Sequence, residues 1–145
     1  LLNSADASHP YLSRITKIEK GVFERCTSLE KVSIPSSVTS INVGAFKGCS
    51  KLKKIVISSS VHSIEEETFS DCTSLSEISI PFSMIKIDKK AFENCPSLKQ
   101  VTLPPYDISI KENAFDPGVQ LVKSEPKSSE TEIEVPSSMT EIEDE

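Results

Sequence analysis

Four thiols, Cys26, Cys49, Cys72 and Cys95, stand 23 residues apart and are the first groups in this chain that could do chemistry. Thiolates bind zinc when they come in close pairs such as C-x2-C with matching His or Cys pairs; here no such pair exists, and the only histidines are His9 and His62. A disulfide between adjacent thiols fares poorly too. If the intervals place them side by side in neighbouring coils, their Cβ atoms sit at roughly the 4.8 Å strand spacing with parallel vectors, whereas a bridge prefers about 3.8 Å. Free, buried, structural thiols are the expectation. The acidic run Glu65, Glu66, Glu67 reads as favourable charge at the start of a short helical turn rather than as a cation site. Ser28, Ser74 and Ser97 precede the repeated leucines, where a hydroxyl satisfies nearby backbone groups, and His62 reads as a solvated side chain. No G-x-S-x-G, P-loop or Gly-rich dinucleotide motif occurs, and the chain has four glycines, so no enzyme and no cofactor is expected.

What positions the thiols is a repeat. The same 23-residue interval separates Phe23, Phe46, Phe69, Phe92 and Phe115, and isoleucine returns at positions 18, 41, 64, 87 and 110. Leucine is counted at Leu29, Leu52, Leu75, Leu98 and Leu121, and branched pairs recur as Val32/Ile34, Ile55/Ile57, Ile78/Ile80 and Val101/Leu103. Each row reads I-x4-F-x2-C-x2-L-x2-[VI]-x-[IL]-[PS]-x2-[VM]-x2-I, with Asp107 breaking the second valine column. Alternating branched residues predict short strands at Lys31 to Ile34, Lys54 to Ile57, Glu77 to Ile80 and Gln100 to Leu103, and a second extended piece at Val38 to Ile41 and its equivalents. Proline or serine follows each strand. The polar stretch before each Cys, such as Val43 to Gly48, predicts one or two helical turns. One row buries too little apolar surface to offset the entropy of ordering it, so rows must stack. The fold class is therefore a repeat solenoid, a superhelix of short strands plus short helical turns in about 4–5 coils.

The strings GAFKGCSKLKKIVI, ETFSDCTSLSEISIP and KAFENCPSLKQVTLP resemble the BspA-like, or Treponema-type, leucine-rich repeat. That resemblance implies a curved solenoid with a strand-lined concave face, a place at the cell surface or in the secreted fraction, a role in adhesion or protein binding, and no catalytic residues. It spans residues 11–121, after a ragged extension over residues 1–10.

The C-terminal part, residues 122–145, departs from the pattern. Gly118 replaces Cys, and nine extra residues within Val122 to Thr131 separate Leu121 from the strand-like Ile133-Glu134-Val135-Pro136; Ile142 then opens a row that does not continue. Net charge is −6 for the chain but −7 within residues 124–145, which leaves the repeat body close to neutral. An acidic, irregular insertion and a truncated final repeat are expected there.

Binding is the function the rows point to. With Val32 and Ile34 inward, alternation turns Lys31 and Ser33 outward, and the stacked equivalents are Lys54 and Val56, Glu77 and Ser79, and Gln100 and Thr102, with Lys99 beside them. This face is polar and mildly basic and lacks the aromatic and arginine anchors of tight interfaces. A protein partner, host or self, is expected through avidity-dependent contacts. Scattered lysines without interleaved aromatics disfavour nucleic acid, and no apolar run approaches the roughly 20 residues of a membrane span. A structural spacer or weakly self-associating segment of a longer surface protein is the alternative. Phe82 and Tyr106 are read as isolated exposed aromatics.

Overall fold

The computed structural model describes residues 15–125, and every structural statement below concerns those residues. They form a continuous stack of about five coils, each contributing a short strand to one wall and a second extended piece to another. The first wall is built by β2 (Lys31–Ser33), β4 (Lys54–Val56), β6 (Glu77–Ser79), β8 (Gln100–Leu103) and β10 (Gln120–Lys123). The second is built by β1 (Lys17–Ile18), β3 (Ser40–Ile41), β5 (Ser63–Ile64), β7 (Lys86–Ile87) and β9 (Ser109–Ile110). All pairings are parallel, and the register is the repeat itself: Val32 opposes Ile55, Ile55 opposes Ile78, and Ile64 opposes Ile87. Parallel neighbours need a crossover of a dozen or more residues, which the rest of each row supplies.

The third wall corrects the expectation of helical turns. No described residue is helical; each stretch around Phe is a chain of consecutive turns. The reason is a pair of left-handed residues four positions apart in every regular row. Gly21 and Arg25, Gly44 and Gly48, Glu67 and Asp71, and Lys90 and Asn94 all have φ between 58 and 77°. A left-handed residue ends an α-helical run, and two of them so close leave no room for one. At Gly48 a Cβ would meet the Arg25 side chain at 3.0 Å, so this row uses the residue that has none.

The turns still satisfy their backbone. In row two the N–H groups alternate: Ala45, Lys47 and Cys49 donate back to Asn42, Gly44 and Phe46 within the row. Gly44, Phe46 and Gly48 donate to Glu66, Thr68 and Ser70 of the next row. Half of the donors close turns and half bind the coils together, which replaces the ladder a sheet would provide.

Inside these walls the apolar columns are buried. Phe46, Phe69 and Phe92 are fully buried, as are Ile41, Leu52, Ile55, Ile64, Leu75 and Ile87. Successive phenylalanine rings from Phe23 to Phe115 stack with centroids 5.0–5.4 Å apart and interplanar angles of 2–14°. The core is one continuous strip rather than a globular centre.

The fifth row corrects the sequence register. Leu121 pairs with Val101, not with the leucine column, because β10 pairs with β8 from Gln120 opposite Gln100 onwards. Phe115 keeps its place opposite Phe92. The turn that follows is therefore three residues shorter than in row four. Pro117 gives the cause. It occupies the column of Arg25, Gly48, Asp71 and Asn94, and its ring fixes φ near −65° where a positive value is needed. Gly118 takes the left-handed role one position later, at φ +93°. Val122 and Lys123, expected at the start of an irregular insertion, lie in β10; Ile133 to Pro136 and most of the acidic segment fall outside the described residues, as do residues 1–10.

Candidate binding face and the thiol ladder

The strand wall places the predicted outward residues in columns. Lys31, Lys54 and Glu77 stand in one register line, and Ser33, Val56 and Ser79 in the next. Gln100 and Thr102 continue the face on β8, which packs beside β6, and Lys99 precedes it. All nine are exposed except Val56, which is half-buried against its neighbours. The four ion pairs among the described residues, Lys47–Glu67, Lys86–Glu65, Lys86–Asp88 and Lys123–Asp107, leave these lysines out. Their ammonium groups are thus available to an external carboxylate.

Two further residues belong to this face. Gln120 and Val122 stand opposite Gln100 and Thr102 in β10 and are exposed. Counting by 23 misses them because of the shortened turn; the alternation in Gln120-Leu121-Val122-Lys123 directly after Gly118 is the signal that could have found them. On the edge that follows the strands, Phe82 and Tyr106 are exposed as expected, and Ile85 is more exposed still. The Tyr106 hydroxyl donates to the Met84 carbonyl at 3.4 Å.

The thiols lie in the turns between the Phe and Leu columns, and all four are free. Cys49, Cys72 and Cys95 are buried, whereas Cys26, in the first described row, is partly exposed. Their role is more specific than filling space. Each buried thiol donates to the phenylalanine carbonyl of the preceding row: Cys49 to Phe23, Cys72 to Phe46 and Cys95 to Phe69, all at 3.2 Å. Burial pushes the Cys49 thiol up to about 11 and Cys95 to about 12, and raises Cys72 further, so none supplies a nucleophilic thiolate near neutral pH.

The acidic run is also engaged. Glu67 accepts from the Lys47 ammonium at 3.0 Å, and this contact is what raises the Lys47 pKa; Glu65 accepts from the Ser63 hydroxyl at 2.6 Å. His62 is exposed, with Nδ1 3.1 Å from the Ser83 carbonyl oxygen. Ser97, one of the turn serines, donates to the Thr73 carbonyl at 2.8 Å. No group of three or more His, Cys, Asp or Glu among the described residues is placed to hold a metal, and none of their elements is a helix able to cross a membrane.

A stack of parallel 23-residue coils with this Phe, Cys and Leu order matches the BspA-type leucine-rich repeat region in six copies over residues 7–122. The chain belongs to that family. Solved structures agree with the assignment. A leucine-rich repeat protein from Bacteroides ovatus is 33% identical, with a TM-score of 0.68, over 76% of this chain and 29% of its own length. A leucine-rich cell surface protein from Faecalibacterium prausnitzii is 30% identical, TM-score 0.66, over 85% of this chain and 33% of its own. The leucine-rich repeat protein of T. pallidum is 36% identical, TM-score 0.69, over 74% and 50%. The chain thus spans between about a third and a half of the length of these proteins. No curated protein matches it.

Proposed function

We propose that this BspA-type repeat array is a non-catalytic protein-interaction or adhesion module of a surface or secreted protein, and that it binds through the strand face. The observation that carries this reading is the registered pair of columns Lys31, Lys54, Glu77 and Ser33, Val56, Ser79, continued by Lys99, Gln100 and Thr102, whose side chains are exposed apart from the half-buried Val56. Every other wall is committed to its own stack: the turns to hydrogen bonds between coils, and the second strands to a short ladder. The surface setting is supported by the Faecalibacterium neighbour, described as a cell surface protein.

The chemistry of the face fits a partner with exposed carboxylates, met by several weak contacts at once. Replacing Lys31, Lys54 and Lys99 together by Glu is expected to lower capture of immobilised acidic surface proteins several-fold and to flatten the dependence of capture on salt. Capture that is unaltered in both respects would remove this face as the site.

A second reading is favoured by the exposed end of the stack, where Leu121 and Val122 are uncovered. It makes the array a spacer that associates end to end. Light scattering at rising concentration separates the two, since a strict monomer that still captures partners supports only the first.

A further inference from the structure

Charge is not spread evenly along the strand face. The four residues around each repeated leucine read S-L-E-K, K-L-K-K, S-L-S-E and S-L-K-Q, starting at Ser28, Lys51, Ser74 and Ser97. Three cations therefore stand together in row two, while Lys and Glu cancel in row one and row three carries a lone Glu. Leu52 is fully buried, and Lys51 and Lys53 on either side of it are exposed. The exposed Lys54 opposes the exposed Lys31 in register, which adds a fourth ammonium from row one.

The fold gains nothing from this arrangement. Like charges directly opposite each other destabilise a strand pair. None of the four lysines is in an ion pair among the described residues, whereas Lys47, of the same row, is held by Glu67 on the turn wall. Row two thus neutralises its lysine on one wall and leaves a cluster uncompensated on the other.

We propose that Lys31, Lys51, Lys53 and Lys54 form a binding site for a sulfated polysaccharide chain. This rests on the strand face being the recognition surface, and it narrows that surface to its first two rows and to one class of ligand. Size argues for a single polymer chain. Lys51 and Lys54 are at most about 11 Å apart along the backbone, and rows one and two are about 4.8 Å apart, whereas a folded protein partner covers about 800 Å2 on each side. The chemistry around the lysines argues the same way. Ser28, Ser33 and Ser76 border them, and the aromatic and arginine anchors that hold a protein partner are missing. Bases would find no ring to stack on, which separates this ligand from single-stranded nucleic acid. With point charges alone to hold it, the ligand must lose little freedom on binding, and stiff sugar rings lose less than an acidic peptide, which gives up backbone entropy at every residue. Sulfate groups then supply the charge density that four clustered ammonium groups match.

The test is binding of the full 145-residue chain to a heparin hexasaccharide by calorimetry at several salt concentrations. Lys51→Ser with Lys53→Ser, which gives row two the residue types of row three, is expected to lower the affinity roughly tenfold. The same change should reduce the slope of log affinity against log salt by about 1–2. Lys89→Ser with Lys111→Ser removes equal charge from exposed positions beside the second wall and is expected to leave binding unchanged. Equal losses for the two double variants would mean attraction to the whole molecule and would overturn the site. Equal binding of the hexasaccharide stripped of sulfate overturns the ligand class, as does equal binding of an oligothymidylate of matched charge. If the chain captures acidic proteins through Lys31, Lys54 and Lys99 but ignores the hexasaccharide, this inference fails and the strand-face reading stands.

Discussion

The turn wall and the strand wall of this solenoid are built from the same 23-residue unit but are specified to very different degrees. On the turn wall several columns are constrained at once, since Phe stacks, Cys donates to the carbonyl below, and two left-handed residues fix the path. On the strand wall only the inward alternate residues are fixed, and the outward column runs Lys, Lys, Glu without a rule. The repeat therefore holds its shape from one side and leaves the other free to vary. That division is the physical basis for seeking function on the strands.

Removing a ring strikes at this contrast most directly. Phe69 is fully buried and stacks on both Phe46 and Phe92, so Phe69→Ala opens a cavity between two coils as well as losing its own burial. A loss of about 3–5 kcal/mol is expected in denaturant unfolding. A loss below about 1 kcal/mol would mean the turn wall is not what holds the rows together.

The thiols give the wall a pH signature. Burial raises the folded-state pKa of Cys49 from 9.0 to about 11 and that of Cys95 from 9.0 to about 12. The folded chain then keeps protons that the unfolded chain gives up. Stability from this source is whole below pH 9 and is lost as pH rises from there through about 11 and 12, on the order of 1 kcal/mol per thiol per pH unit. The melting temperature should fall over this range, and less steeply in Cys49→Ala. At pH 8, a thiol reagent on the native protein is expected to label the partly exposed Cys26 and to reach Cys49, Cys72 and Cys95 only after unfolding. Uniform labelling of all four in the folded state would contradict the ladder.

Row five repeats the contrast within the turn wall. With Pro117 blocking the usual turn, the Asp116 carboxylate takes over: one oxygen accepts from the Asn94 N–H and the other from the Cys95 N–H, both at 2.8 Å. In regular rows a backbone carbonyl serves the first of these donors, as Glu93 does for Asp71. Asp116→Ala is expected to cost about 1–2 kcal/mol, and Asp116→Asn to recover part of it, since the amide keeps one acceptor oxygen. Equal losses for the two variants would show that the carboxylate does not cap these N–H groups.

Most of this architecture was legible because period, hydrophobicity and side-chain alternation all carry the same message over four rows. The strand positions, the phenylalanine and isoleucine columns and the unpaired state of the thiols follow from spacing alone. What misled was backbone conformation. Glu67 and Lys90 adopt the left-handed geometry that Gly21 and Gly44 adopt in their rows, and nothing in Glu or Lys announces it. The column had to be read down the rows, where glycine appears twice and asparagine at Asn113 once. The S–H donation to a carbonyl was hidden for a similar reason: an apolar contact and a weak hydrogen bond ask for the same residue. Row five failed through proline. Pro117 in a left-handed column was visible in the sequence, but its consequence, a three-residue slip that puts Leu121 on the strand, depends on how the next coil seats.

The strand face itself should tolerate change at the least cost. Ser79 is exposed between Val56 and the β8 side of the stack, and no hydrogen bond or ion pair of its side chain contributes to the fold. Ser79→Ala should therefore change unfolding free energy by no more than about 0.5 kcal/mol, and Glu77→Gln likewise, while leaving the thiol labelling pattern as it was. The value of so small a number is that it separates the two walls by a factor of several in energy with substitutions of modest size. If the face variants proved as costly as Phe69→Ala, the outward columns would be structural, and the freedom that makes them candidates for recognition would not exist.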